Sequence, residues 1–309
     1  MNNTCTRARV VLFFILLFAT TGCAARVPNA LSDSQMQAIT HNQRGIKYAA
    51  RGDNQQARGE FSEALRISHS IENSDGIAVA LINSSRMYRH DNDADAALTA
   101  ISEALLHAPP QSPLYPEVAF EMAQVKLLSG NSGEATDWAY KAVAADSGPT
   151  RGIRMNLLAR ILLLTGKAAE AEQKVSEALL LNKNSGLRAE EANSLRTLGH
   201  LKAVTNRSVE AAASYNQALE IDKMIGKSSK IVADLRALAH LAQSQKNNGQ
   251  AVEFYSRAYA ASSADGDLSG AGEDLLNMSR IYEAQGDTDM VERLLRERSK
   301  ILKNSSSPQ

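Results

Sequence analysis

Small and large apolar residues recur along this chain with a long period. When seven repeats are aligned on their small columns, successive repeats begin 40, 38, 36, 40, 40 and 40 residues apart. A period of roughly 20–50 residues is typical of solenoids, in which each repeat packs on its neighbours. Column numbers below count from the first residue of each repeat, namely Ala38, Ala78, Pro116, Gly152, Ala192, Val232 and Gly272.

Two helices separated by a tight turn are predicted in each repeat. Columns 20 and 27 are alanine in the first six repeats, and column 8 is Gly, Ser or Ala in all seven, so helices can approach closely there. Between columns 8 and 20, a residue that tolerates positive φ is expected where the first helix ends. Column 15 supplies Gly52, Asn92, Gly130, Gly166, Asn206, Lys246 and Gly286. Lys246 departs from the pattern, and we expect Asn247 or Asn248 to replace it.

Column 24 is mostly large and apolar, at Phe61, Ile101, Ala139, Val175, Tyr215, Tyr255 and Leu295. Together with the small columns and the turn, it resembles the tetratricopeptide repeat (TPR) family. The Trp of column 4 in that family is missing, and the period near 40 resembles the longer repeats of kinesin light chains. The resemblance implies an all-α fold, a right-handed α-solenoid of about seven helical hairpins over 38–298. Residues 299–309 are predicted to end the last helix and form a disordered tail.

The N-terminus reads as a secretory signal over 1–22. Arg7 and Arg9 precede the apolar run Val10–Phe18, which is too short to span a bilayer comfortably. The following Ala-Thr-Thr-Gly-Cys resembles the lipobox of bacterial lipoproteins, which implies lipidation at Cys23 and a tether over 23–37. Ala24 after the cysteine, by the lipoprotein sorting rule, implies the periplasmic face of the bacterial outer membrane. An ordinary cleaved signal with an incidental cysteine, or an uncleaved anchor, is the alternative.

Composition argues against several functions. The 34 basic and 34 acidic residues balance, so no basic excess indicates nucleic-acid binding. Both cysteines, Cys5 and Cys23, precede the repeats, which therefore contain no internal disulfide. No phosphate loop or nucleophile–base constellation is visible, so we expect neither enzymatic activity nor a cofactor. His200 and His240 share a column, so they are expected on neighbouring helices, as a bridging metal would need. Solvated groove histidines are the favoured interpretation.

Polar residues gather on one face of each first helix, at columns 5, 6 and 9. In the TPR family this face lines a concave groove, where asparagines hydrogen-bond the backbone of an extended peptide. An arginine there can hold a carboxylate in bidentate fashion. The predicted groove residues are Asn83, Arg86, Asn156, Arg160, Arg196, His200, Arg236, His240, Asn277 and Arg280. The alternative is a merely solvated helix face.

These observations predict a membrane-anchored adaptor that binds an extended protein segment of acidic character. Family resemblance points to assembly of an envelope complex, such as pilus, secretin or cell-wall machinery. A homo-oligomeric scaffold of the envelope is the first alternative, and an accessory protein that binds glycans or small ligands is the second.

Overall fold

The computed structural model describes residues 31–305, and within that range every regular element is an α-helix. The predicted all-α solenoid of seven hairpins is therefore confirmed. The signal segment and Cys23 lie outside the described residues. The helices are α1 (Asp33–Arg51), α2 (Asn54–Ser70), α3 (Ser74–His90), α4 (Ala94–His107), α5 (Tyr115–Leu128), α6 (Ser132–Ala145), α7 (Arg151–Leu164), α8 (Ala168–Asn184), α9 (Arg188–Val204), α10 (Ser208–Ile225), α11 (Ser228–Ser244), α12 (Asn248–Ala264), α13 (Leu268–Gln285) and α14 (Thr288–Ser305).

The turn inside each hairpin is built on column 15. All seven residues there have positive φ, from 60° at Lys246 to 84° at Gly52. The expectation that a neighbouring asparagine replaces Lys246 is wrong: the lysine itself adopts φ 60°, and Asn247 instead caps α12 by accepting a bond from the Gln250 amide. The left-handed backbone conformation is costly for lysine, because its Cβ atom crowds the backbone. Tight packing of the flanking helices is the reason that this conformation persists at Lys246.

The core is organised by the same columns that carry the repeat. The alanines at columns 20 and 27 are fully buried in the first six repeats, because the two helices of a hairpin touch there. Column 24 fills the space beside column 8. A methyl group added to Gly199 would lie 2.7 Å from the Tyr215 ring, so the glycine makes room for the tyrosine. In repeat seven Leu295 is 38% exposed, since no helix of the described residues packs over it.

The proline-rich connector between α4 and α5 does not divide the solenoid into separate cores. Ala104 and Ala108 on one side, and Val118 and Met122 on the other, belong to one buried cluster. One continuous hydrophobic core therefore crosses the connector.

Both ends of the described chain are helical beyond the sequence estimate. Ser32 caps α1 through a capping box with Gln35, so the last five residues of the predicted 23–37 tether lie in α1. At the other end, α14 continues to Ser305, into the predicted disordered tail. Packing of the amphipathic helix against α13 accounts for the extension. Among residues 31–305, no helix combines the length and the apolar character needed to cross a bilayer.

Candidate functional site

The first helices of four consecutive repeats line one continuous concavity, which we call the groove. Its main hollow, about 640 Å³ in volume, is lined by residues from α5, α7, α9 and α11 alone. A second hollow of about 620 Å³ adjoins it and shares His200. Second helices pack behind this surface, which is why the polar face of the first helices is left open. Apolar side chains contribute to the lining, including Phe120, Ile153, Leu157, Leu163 and Leu164.

Arg160 and Asn156, both predicted groove residues on α7, lie at the centre of the main hollow. The exposed Arg160 side chain makes no ion pair or hydrogen bond with any described residue. Desolvation by the surrounding protein lowers the pKa of Arg160 from its ordinary value, and the positive charge of Arg89 adds to this effect. Asn156 is only 8% exposed, yet its amide oxygen has no hydrogen-bond partner. An unpaired guanidinium thus stands one helical turn from an unsatisfied amide.

His200 and His240, the two histidines of column 9, line the second hollow. The Nδ1 atom of His240 is 3.0 Å from the Tyr255 hydroxyl, which itself donates to Gln243 at 2.9 Å. The two rings of the His240–Tyr255 pair meet edge to face. Within residues 31–305 no group of three or more potential metal ligands occurs.

Arg86 and Asn83 are less available than the sequence pattern indicates. Arg86 forms an ion pair with Glu117 and lies 3.7 Å from the carboxylate of Glu121, which is fully buried. The Asn83 amide donates to Asn42 at 3.1 Å and accepts from Arg86 at 3.2 Å. Their polar atoms therefore join α3 to its neighbours, and their role in binding stays a prediction.

Arg280 and Asn277 lie on α13, in the last repeat. The Arg280 guanidinium donates to the Asn277 side-chain oxygen at 3.2 Å. Neither residue lines the two hollows, so the structure separates this pair from the centre of the groove.

Arg196 and Arg236, both at column 5, face buried carboxylates at the junctions between repeats. The Nε atom of Arg196 donates to Asp234 at 2.6 Å, and its Nη2 atom bonds to Asp222. Arg236 holds Asp274 with two bonds, at 2.7 and 2.8 Å. These arginines join consecutive repeats, and sequence reasoning about groove lining missed that function.

A constant spacing along the chain explains these arginine–aspartate pairs and could have revealed them from the sequence. Column 5 and column 31 of one repeat meet column 3 of the next, so Arg196 and Arg236 each precede their partner aspartate by 38 residues. We call these three columns the junction trio. Between repeats three and four the trio reads Phe120, Asp146 and Arg154, with the last two 2.6 Å apart.

The junction between repeats five and six, which we call the fifth junction, brings three charged side chains together: Arg196, Asp222 and Asp234. Burial raises the pKa of the Asp234 carboxyl to about 6, against the opposing effect of Arg196, and the neighbouring Asp222 adds to the rise. Two carboxylates around one guanidinium leave a net negative charge, which favours a proton on the pair.

The single tryptophan, Trp138 on α6, is accounted for by packing. Trp138 is partly buried against three clusters, and Lys141 lies 4.0 Å above its ring. It therefore contributes to the core of repeats two to four.

Comparison with known proteins identifies the fold of this chain. No family model matches the chain, and no curated protein matches it. Solved structures do match. PilF of Pseudomonas aeruginosa is 18% identical with a TM-score of 0.53, over 73% of this chain and 92% of PilF.

Three further structures extend the likeness. PilW, described as a widely conserved type IV pilus biogenesis factor, is 17% identical with a TM-score of 0.55, over 72% of this chain and 92% of PilW. A Rap protein in complex with Competence and Sporulation Factor is 13% identical with a TM-score of 0.63, over 89% of this chain and 77% of Rap. A TPR-like repeat protein of the kinesin light chain type also matches, at 15% identity and a TM-score of 0.50, over 64% of this chain and all of that one. The chain therefore has the fold of the tetratricopeptide-repeat solenoids.

Proposed function

We propose that this chain is a non-enzymatic adaptor whose groove binds an extended acidic segment of another protein. The observation that carries the proposal is Arg160, which lines the groove beside Asn156, is exposed and has no partner among the described residues. A ligand carboxylate that pairs with this free guanidinium gains charge-assisted hydrogen bonds. Arginine suits a carboxylate because its planar donors match both oxygens.

The lining favours a polypeptide over a small polar ligand. Leucine and phenylalanine side chains share the lining with the amides of Gln124, Asn156 and Asn193, which fits the apolar side chains and the polar backbone of an extended strand. Glu190, which accepts a bond from Asn193 at 3.0 Å, adds one negative charge to the lining, but the cations Arg160 and Lys230 outnumber it. A segment with an acidic residue next to an apolar one matches this surface.

Site-specific photo-crosslinking tests where the partner binds. A photoreactive amino acid replaces Leu164, an exposed leucine in the groove, and a matched control replaces Leu180, an exposed leucine on α8 outside it. In isolated envelopes, we expect a defined protein to crosslink through position 164 and not through position 180. Equal capture at both positions contradicts a groove-bound partner.

Charge reversal then tests the chemistry of binding. Arg160→Glu removes a charge-assisted hydrogen bond and places like charges together, so we expect roughly 10- to 100-fold weaker binding of the crosslinked segment, measured by fluorescence anisotropy. Lys183→Glu, an exposed cation on α8, is the control and should bind normally. Unchanged affinity in Arg160→Glu removes the acidic contact from the proposal.

We further propose that Cys23 carries a lipid that anchors the adaptor to the periplasmic face of the outer membrane, where it serves assembly of an envelope complex. The apolar run ahead of Gly22-Cys23 supports the anchor, and the shared fold with a type IV pilus biogenesis factor supports the pathway. Mass spectrometry of the purified chain tests this directly. Cys23→Ser should lose both the added acyl mass and retention by membranes, and retention at the wild-type mass contradicts lipidation.

A further inference from the structure

The first helix of the solenoid has an outer face that no repeat covers. In repeats two to seven, column 10 is a buried apolar residue, at Met87, Val125, Ile161, Leu201, Leu241 and Ile281. These side chains pack into the preceding repeat, as Met87 does against Ala57 and Phe61. No repeat precedes repeat one in the part of the chain that the structure describes, and its column 10 is the exposed Lys47.

The same substitution occurs along the whole of that face. Column 7 is Met or Leu in repeats three to seven but Arg44 in repeat one. Thr40, Arg44, Lys47 and Arg51 follow i, i+4, i+7, i+11 spacing and so share one side of α1. We call this side the N-terminal cap. A cap must be polar, but polarity alone does not require that every charge be positive.

The three cations of the cap have no acidic partner among the described residues. The carboxylates of the second helix in this repeat are engaged elsewhere: Glu60 lies 2.7 Å from His41, and Glu63 pairs with Arg66 at 2.6 Å. Leu31 and Met36, 52% and 51% exposed, lie at the start of the same helix. The cap thus combines unpaired cations with exposed apolar side chains.

The opposite end of the solenoid mixes both charges, with five basic and three acidic residues on α14. On α14, Arg296 lies 2.9 Å from Glu292, and Lys300 lies 3.7 Å from Glu297. A general need for solubility would produce mixed charge at both ends. The concentration of unpaired cations at one end calls for a partner there.

We infer that the N-terminal cap docks on the anionic headgroups of the membrane that holds the chain, an inference that rests on the proposed lipid anchor. Cys23 precedes the first helical residue by ten positions, so an extended tether keeps the cap within roughly 35 Å of the bilayer. Unpaired arginine and lysine side chains are attracted to an anionic surface, and flanking Leu31 and Met36 can enter the interface. Docking would hold the solenoid by one end and leave the groove free.

Fluorescence quenching in vesicles tests the docking. The full-length lipidated protein carries a dye at Thr40→Cys on the cap or, as the distal control, at Ser299→Cys on α14. Vesicles contain phosphatidylcholine with or without phosphatidylglycerol, together with a lipid that is spin-labelled at the headgroup. We expect quenching at position 40 in the anionic vesicles, weaker quenching in neutral ones, and none at position 299.

Charge removal identifies the residues responsible. Arg44→Gln/Lys47→Gln/Arg51→Gln should lower the docked-to-undocked ratio roughly 100-fold, as should high salt. Arg293→Gln/Arg296→Gln/Lys300→Gln on α14 is the matched control and should leave quenching unchanged. The docking is overturned if the protein stays on the vesicles and quenching at position 40 changes neither with lipid charge nor with the cap substitutions.

Two other results also contradict the inference. Energy transfer between copies labelled at position 40, without quenching by lipid, would show that a second copy of the chain covers the cap. A protein that neutral vesicles fail to retain lacks the anchor, and the proposed membrane attachment then fails together with the docking.

Discussion

Two neighbouring repeat junctions, alike in backbone and unlike in chemistry, separate the parts of this molecule that hold it together from the part left open. At the fifth junction, between repeats five and six, the trio is Arg196, Asp222 and Asp234, and the arginine donates to both aspartates. At the fourth, the equivalent trio is Asn156, Asn182 and Ser194. There Asn182 donates to Ser194 at 3.0 Å, but the side-chain oxygens of both asparagines have no partner.

The difference has a physical consequence. A charged trio must be completed internally, because a lone charge in a buried site is far too costly. A neutral amide trio can remain incomplete at a smaller cost. Asn156 of this incomplete, open junction lines the main hollow of the groove beside Arg160, whereas Arg196 of the charged junction lines the same hollow with its guanidinium already paired.

The largest expected effect comes from breaking a charged junction. Asp274 is fully buried and accepts two bonds from Arg236, so Asp274→Ala leaves a guanidinium without its carboxylate. We expect a loss of about 3–5 kcal/mol in the free energy of unfolding, measured by urea denaturation followed by circular dichroism. The paired variant Arg236→Met/Asp274→Leu should recover most of this loss. Equal destabilisation by the single and paired variants would argue that the carboxylate acts through something other than Arg236.

A smaller effect is expected from pH at the fifth junction. Since burial raises the folded-state pKa of Asp234 to about 6, the folded chain binds this proton more tightly than the unfolded chain. The Asp234 contribution to stability is therefore greatest below the unfolded pKa near 4. This contribution falls by on the order of 2 kcal/mol as pH rises to about 6, and it is constant above that pH.

Asp234→Asn removes this titration. Thermal unfolding between pH 4 and 8 should show that the difference between variant and wild type changes below about pH 6 and is constant above it. Asp75→Asn, an exposed carboxylate at the start of α3, serves as control. A wild-type-like pH profile in Asp234→Asn would place the proton on another group of the pair.

The smallest effect on stability is expected at the open junction. Asn156 makes no hydrogen bond that its loss would break, so Asn156→Ala should change the free energy of unfolding by less than about 1 kcal/mol. The same variant should weaken binding of the groove partner. A large loss of stability would mean that the amide is satisfied in solution, and the comparison of the two junctions would then collapse.

Regular columns made most of the fold predictable. Column 15 had to be a turn, and even Lys246 adopts the left-handed conformation there. Alanines at columns 20 and 27 had to be buried, since a period of 40 residues repeats each helix–helix contact. The exception at Lys246 was misjudged because local propensity disfavours it, while the packed helices on either side determine the turn.

The groove was only partly predictable. Arg160 and His200 of column 9 line the concavity, but the same column gave no reason to separate Arg160 from Arg86. Glu117 and Glu121 neutralise Arg86 from the next repeat, and no acidic residue between 31 and 305 does the same for Arg160. Spacings of 38 residues between arginine and aspartate were visible in the sequence, and they mark the arginines that serve the junctions.

The sequence by itself determined the repeat, the two helices in each copy and the face that each helix buries, because these follow from helical periodicity and side-chain size. Tertiary structure alone decided which polar side chains are already satisfied. That depends on whether an opposite charge in the adjoining repeat comes within about 3 Å, a distance that no single repeat contains. Arg196 and Arg160 occupy the same kind of helix face, and only the stacking of repeats makes the first a link and leaves the second free.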